Sequence, residues 1–129
     1  MHSPELYALE ISVLLFIVHV LAQSTLAGGE FGQPYLLSAR DDQRQVNGLM
    51  ARRAERALKN FVENYGAFIA ADLALIATGQ TGGWGAVVWI AARIVYLPIY
   101  LSGVPVARTL CWAASIVGLL MMLARLAGL

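Results

Sequence analysis

Apolar residues fall into four long runs along the chain, separated by stretches rich in glycine, proline or charge. The first run, Leu6 to Ala27, covers about 33 Å as a helix, and the hydrocarbon core of a bilayer is roughly 30 Å thick. Pro4 precedes it and Gly28-Gly29 is expected to close it. Gly28 to Gln45 is the longest polar segment; Gly32 and Pro34 break helix there, and Arg40-Asp41-Asp42 with Arg44 places it in water. From Val46 apolar positions return at helical spacing, with Leu49, Met50, Ala54, Ala57 and Leu58 between the charges, and the helix is predicted to run to about Ala77. Thr78-Gly79-Gln80-Thr81-Gly82-Gly83 makes an uncharged turn, with Trp84 beside it as an interfacial anchor. A third span follows to Leu101, where Pro98 removes a backbone hydrogen bond and predicts a kink. Ser102-Gly103-Val104-Pro105 turns the chain into a fourth span, Val106 to Ala127. The fold class expected is all-α: one transmembrane four-helix bundle with spans at about 6–27, 46–77, 84–101 and 106–127.

Composition fixes the solvent. With 59% hydrophobic and 13% charged residues, the chain has too little charge to cover a soluble globule, so it reads as an integral membrane protein. The net charge of +1, with no basic run carrying interleaved aromatics, gives no footing for nucleic acid. Cys111, the single cysteine, excludes a disulfide framework and a cysteine-based metal site, and reads as a small buried hydrophobe. Met1-His2-Ser3-Pro4-Glu5 lacks the basic start of a secretory signal, so the first run is expected to be a retained span.

The second helix changes the picture. Its first half, Arg52 to Asn64, is heavily polar, while Tyr65 to Ala77 is apolar except for Asp72. At about 100° per residue, Arg56, Asn60 and Glu63 fall within a sector of roughly 60°. Ionisable groups entering hydrocarbon cost about 2.5–3.5 kcal/mol each on insertion scales unless they face the bundle and find partners. Asp72 points away from that sector and is expected to pair with another span or to lie near the far surface. On the first span His19 and Gln23 share a face turned to neighbouring helices, where His19 reads as a packing histidine.

On the third span Arg93, Tyr96 and Tyr100 again fall within about 60° of one another. Set against Arg56, Asn60 and Glu63, they supply guanidinium donors, an amide, one carboxylate and two phenols. A small zwitterion of net negative charge suits that inventory: arginines clamp carboxylates, Glu63 takes an ammonium, and phenols donate to a third group. Glutathione has two carboxylates, one ammonium and a thiol. Two other readings stay open. The residues could pair with one another to knit helices or subunits, although arginine outnumbers carboxylate, or they could hold lipid phosphate.

The pattern Arg53-x-x-Arg56-Ala57-x-x-Asn60-x-x-Glu63, followed by Arg93-x-x-Tyr96-x-x-x-Tyr100, resembles the signature of the MAPEG family, membrane-associated proteins in eicosanoid and glutathione metabolism. Tyr35-Leu36-Leu37-x-x-Arg40-Asp41 in the first loop is similar to the family's bacterial branch. The resemblance implies a homotrimer of four-helix subunits that binds glutathione as co-substrate between subunits. It implies glutathione contacts at Arg53, Arg56, Asn60, Glu63, Arg93, Tyr96 and Tyr100. It also implies an arginine at the start of the fourth span that holds the thiol as thiolate, a role that falls to Arg108, eight residues after Tyr100. Asn64 stands where one branch of the family has a tyrosine, and Tyr65 is the neighbour able to replace it.

Lowering a thiol pKa from about 8.5 to about 6.5 requires roughly 2.7 kcal/mol in favour of the thiolate. One guanidinium at about 4 Å offers on the order of 4 kcal/mol at an effective dielectric near 20, before desolvation. The activity the resemblance implies is a glutathione transferase, with peroxidase activity as a companion, acting on hydrophobic electrophiles or lipid hydroperoxides that arrive from the bilayer. The alternative within the same fold is a non-catalytic lipid- or partner-binding scaffold. An ion or proton conductor would make Glu10, His19 and Asp72 central, and their scatter argues against it.

Orientation follows from basic residues. Arg40, Arg44, Arg52, Arg53, Arg56 and Lys59 cluster at one end, with Arg93 and Arg108 within reach, whereas the opposite end offers Arg125. The long first loop is therefore expected to be cytoplasmic, with both termini outside, in a bacterial inner membrane.

Overall fold

α1 (Pro4–Phe31) begins where Ser3 Oγ accepts the Leu6 N–H at 3.2 Å and Pro4 occupies the first turn, which needs no N–H of its own. The computed structural model describes residues 3–32, 48–81 and 83–129. α1 does not stop at Gly28-Gly29. It ends at Gly32, whose φ of 85° breaks the helical path while its N–H still reaches the Gly28 carbonyl. A glycine pair tolerates helix; the positive φ is what ends one. The onset expected at Val46 and the Tyr35 to Asp41 resemblance lie outside the described residues.

α2 (Leu49–Ala77), α3 (Gly85–Ser102) and α4 (Pro105–Leu126) follow, and no strand occurs among the described residues. Short connections make α2, α3 and α4 run up and down in turn. Contacts between α1 and α2 descend along one helix as they ascend the other. Ser12 meets Tyr65 at 3.0 Å between hydroxyls, and further along His19 lies 4.7 Å from Phe61 between ring centroids, so the two helices are antiparallel. Pro98 stands inside α3, and the helix continues through it. α1, α3 and α4 are long and apolar enough to cross a membrane; the charged first half of α2 sets it apart from them.

Aromatic rings fill the centre. Phe61, Phe68 and Trp89 are wholly buried, and Phe68 stacks on Trp89 at 3.9 Å with 10° between planes. Tyr65 and Phe16 extend this stack toward α1. α3 and α4 approach far more closely, through Gly85 and Gly118. A Cβ at Gly118 would fall 2.8 Å from the Gly85 carbonyl oxygen and 2.8 Å from the Trp89 nitrogen, so only a missing side chain permits this crossing.

Polar groups also line the α1–α2 seam. Glu5, Ser12 and His19 recur at seven-residue steps on α1 and are all buried, as is Asp72 on α2. Seven residues separate two turns of a helix, so each step returns to nearly the same face. Both carboxylate oxygens of Asp72 and both ring nitrogens of His19 lack hydrogen-bond partners among the described residues. Asp72 is thus enclosed by side chains, five residues before the end of α2, and His19 packs against Phe61 as a seam residue.

Candidate functional site

Three elements converge at one end of the bundle: the first half of α2, the last turns of α3 and the first turns of α4. The 100° rotation per residue aligns Arg56, Asn60 and Glu63 on α2, and Tyr96 and Tyr100 on α3. The left-handed Gly103, with φ 79°, reverses the chain so that Arg108 returns to the same level. Tyr96 and Tyr100 pack with Ala57 and Leu97 in a small buried cluster that joins α2 to α3 at this level.

A cavity of about 440 Å³ opens there, lined by Arg56, Lys59, Asn60, Glu63, Tyr96, Tyr100, Arg108, Thr109 and Trp112. That is within the roughly 300–1,000 Å³ of small-molecule sites. Its wall carries three cations and one carboxylate. Among the described residues, Arg56, Lys59, Arg93 and Arg108 form no ion pair with a carboxylate. The side chains therefore leave positive charge over, together with room for an anion, instead of neutralising one another.

Hydrogen bonds set which atoms face the cavity. Arg56 donates from Nε to the Tyr100 hydroxyl at 3.2 Å, which leaves its Nη groups free to grip a carboxylate. Having accepted that bond, the Tyr100 hydroxyl still has its own proton to give. Arg93 is fully buried and donates from Nη1 to Asn60 Oδ1 at 2.9 Å. A guanidinium only donates, so the atom Asn60 turns toward it must be the carbonyl oxygen, and the NH2 is left for the cavity. Arg93 also lies over the Tyr96 ring, 4.1 Å from its centroid, and 5.3 Å from that of Phe61. Those π faces partly replace water around a charge with no carboxylate partner. Arg108 sits 5.1 Å from the Tyr100 centroid, so its charge and the Tyr100 hydroxyl reach the same part of the cavity.

Of the residues singled out from sequence, six line this cavity: Arg56, Asn60, Glu63, Tyr96, Tyr100 and Arg108. Arg93 stands behind the wall and acts on it through Asn60. Arg53 is engaged elsewhere, donating to the Leu101 carbonyl at 2.9 Å. Lys59, Thr109 and Trp112 were not singled out. Trp112 lies four residues beyond Arg108 and three beyond Thr109, and that helical spacing was the available signal. Asn64 has both amide atoms buried without hydrogen-bond partners among the described residues, and Tyr65 joins the aromatic stack and the Ser12 hydroxyl; neither lines the cavity. No group of three or more His, Cys, Asp or Glu among the described residues could hold a metal ion.

Comparison with known proteins gives one match. A model described as MAPEG family covers residues 6–128, nearly the whole chain. No curated protein and no solved structure matches it.

Proposed function

The chain belongs to the MAPEG family, and on that footing we propose that it is a membrane-bound glutathione transferase with companion peroxidase activity. The observation that carries this reading is the surplus of unpaired positive charge around a ligand-sized cavity with a single carboxylate. Arg56 and Lys59 take the two carboxylates of glutathione, Glu63 takes its ammonium, and the Asn60 NH2 donates to a carboxylate or peptide oxygen. Arg108 and the Tyr100 hydroxyl hold the sulfur. Tyr96 closes the wall beside it.

In the transfer reaction, the thiol proton leaves to solvent and the thiolate sulfur attacks an electrophilic carbon. A carbon–sulfur bond forms while the leaving group departs with its electron pair. In the peroxidase reaction, two glutathione molecules reduce a lipid hydroperoxide to its alcohol and water and become the disulfide. Both reactions begin from the thiolate, so Arg108 serves both by favouring that form. The bilayer supplies the apolar substrate laterally, past Thr109 and Trp112.

The cavity is open on the flank of the isolated chain. A homotrimer, in which a neighbouring copy closes that flank, completes the proposal, with the arginine-rich end in the cytoplasm. The test is addition of glutathione to the detergent-purified protein with ultraviolet detection of thiolate. A thiolate band that saturates with glutathione supports the enzyme; saturable binding without it assigns the chain to the non-catalytic scaffold reading, and no binding refutes both roles for glutathione.

A further inference from the structure

Arg53 stands one turn before Arg56 on α2 and reaches toward α3 without lining the cavity. Its Nη1 bonds the carbonyl of Leu101, the next-to-last residue of α3. The last carbonyls of a helix have no partners within it and form the negative end of its dipole, so a guanidinium there satisfies an orphan acceptor and meets favourable potential.

The turn beyond is shaped to receive that guanidinium. A Cβ at Gly103 would fall 2.5 Å from Arg53 Nη2, 2.7 Å from Cζ and 2.9 Å from Nη1. The φ of 79° calls for glycine here, and the bare Cα leaves the space that the guanidinium occupies, from which a Cβ would displace it. The Gly103 N–H meanwhile bonds the carbonyls of Ile99 and Tyr100, both at 3.1 Å, which ties the turn to the helix that carries the cavity phenols. Two arginines of α2 thus grasp neighbouring residues of α3, Arg56 through the Tyr100 hydroxyl and Arg53 through the Leu101 backbone. Arg108 follows five residues after Gly103, in the first turn of α4, where its N–H bonds the Val104 carbonyl at 3.1 Å.

We propose that Arg53 is a positioning residue: it clasps the α3–α4 turn through the Leu101 carbonyl and the space left by Gly103, and so fixes Arg108 and Tyr100 at the cavity. This rests on the thiolate reading above. It gives Arg53 a role different from direct contact with the tripeptide. The charge of Arg53 is spent on a backbone carbonyl, and what it delivers to the cavity is geometry.

The experiment compares full-length wild type, R53Q, R53K and G103A in detergent. Three readouts are taken: kcat with a model electrophile at saturating glutathione, glutathione Kd, and hydrogen exchange of the amides in residues 99–108 without ligand. A misplacement of about 1 Å can cost on the order of a hundredfold in rate, so R53Q and G103A are each expected to lower kcat by about ten- to a hundredfold. Glutathione Kd at pH 7 is expected to rise by no more than about fourfold, the part linked to thiolate formation, and exchange in 99–108 to speed up. R53K, which keeps one donor for Leu101, is expected to recover part of kcat. If R53Q raises Kd while kcat holds, Arg53 is a ligand contact and the proposal is overturned. Wild-type exchange in R53Q overturns it too, and that readout decides the matter even if wild type binds no glutathione, a result that would refute the function and not the clasp. Should R53Q fail to fold, R53K and G103A read the same three quantities, and unchanged exchange in both rejects the clasp.

Discussion

Replacing Arg108 with alanine removes the α4 cation that faces the Tyr100 ring at the cavity. Arg108 is half-buried, its guanidinium lies 5.1 Å from the Tyr100 ring centroid, and no carboxylate of the described residues neutralises it. A full charge at about 4 Å from sulfur gives roughly 4 kcal/mol at an effective dielectric near 20. Partial exposure to solvent reduces that, and about 2.7 kcal/mol corresponds to a fall of roughly two units in the thiol pKa. At pH 7, a thiol of pKa about 6.5 is roughly three-quarters ionised, and one of about 8.5 is roughly 3% ionised. Arg108→Ala is therefore expected to lower kcat near pH 7 by about 25-fold, and to move the rise of kcat with pH upward by about two units. Glutathione Kd at pH 7 is expected to rise by about fourfold only, the linked loss of ionisation, because the carboxylates and ammonium are held by other residues. The assay is a pH series of kcat with a model electrophile, paired with the thiolate absorbance of the bound complex. A variant with wild-type kcat and wild-type thiolate band would refute the role of Arg108.

Other substitutions probe separate parts of the account. Glu63→Gln removes the cavity carboxylate; charge-assisted hydrogen bonds contribute about 1.5–3 kcal/mol, so glutathione Kd is expected to rise by roughly 10- to 150-fold, while a glutathione analogue lacking the ammonium binds both proteins alike in calorimetry. Gly118→Leu forces a side chain into the α3–α4 crossing, where even a Cβ would lie 2.8 Å from the Gly85 oxygen; overpacking costs about 1–3 kcal/mol, and a thermal melt in detergent should shift down. Asp72→Leu replaces a buried carboxyl whose oxygens have no hydrogen-bond partners among the described residues; an unsatisfied buried polar group costs about 1–3 kcal/mol, so the same melt should shift up without loss of turnover.

The functional face was legible in the sequence because helical geometry is regular. Arg56, Asn60 and Glu63 could be aligned by counting, and so could Tyr96 and Tyr100, since each set lies on one unbroken helix. Arg108 was reachable through the resemblance and the position of the turn. Lys59 reads from sequence only as part of the basic cluster, because a lysine in a charged stretch looks like any solvated residue, and its place on the wall depends on α4 arriving opposite. The partner of Arg53 was not legible at all. Its acceptor is a backbone carbonyl 48 residues away, and every residue has such a carbonyl. The end of α1 shows a related limit: Gly28, Gly29 and Gly32 look equivalent as letters, and only the observed φ of 85° distinguishes Gly32. Asp72 was visible as an anomaly, but its burial follows from the register set by Ser12 and Tyr65.

The most direct measurement of the central claim is calorimetric titration of the detergent-purified protein with glutathione at pH 7, repeated in buffers of different ionisation enthalpy. Binding by an anion-deficient cavity that stabilises thiolate predicts a saturable isotherm and release of about 0.7 proton per site, the difference between a thiol of pKa about 8.5 and one of about 6.5. The absence of any binding heat in every buffer would contradict the account.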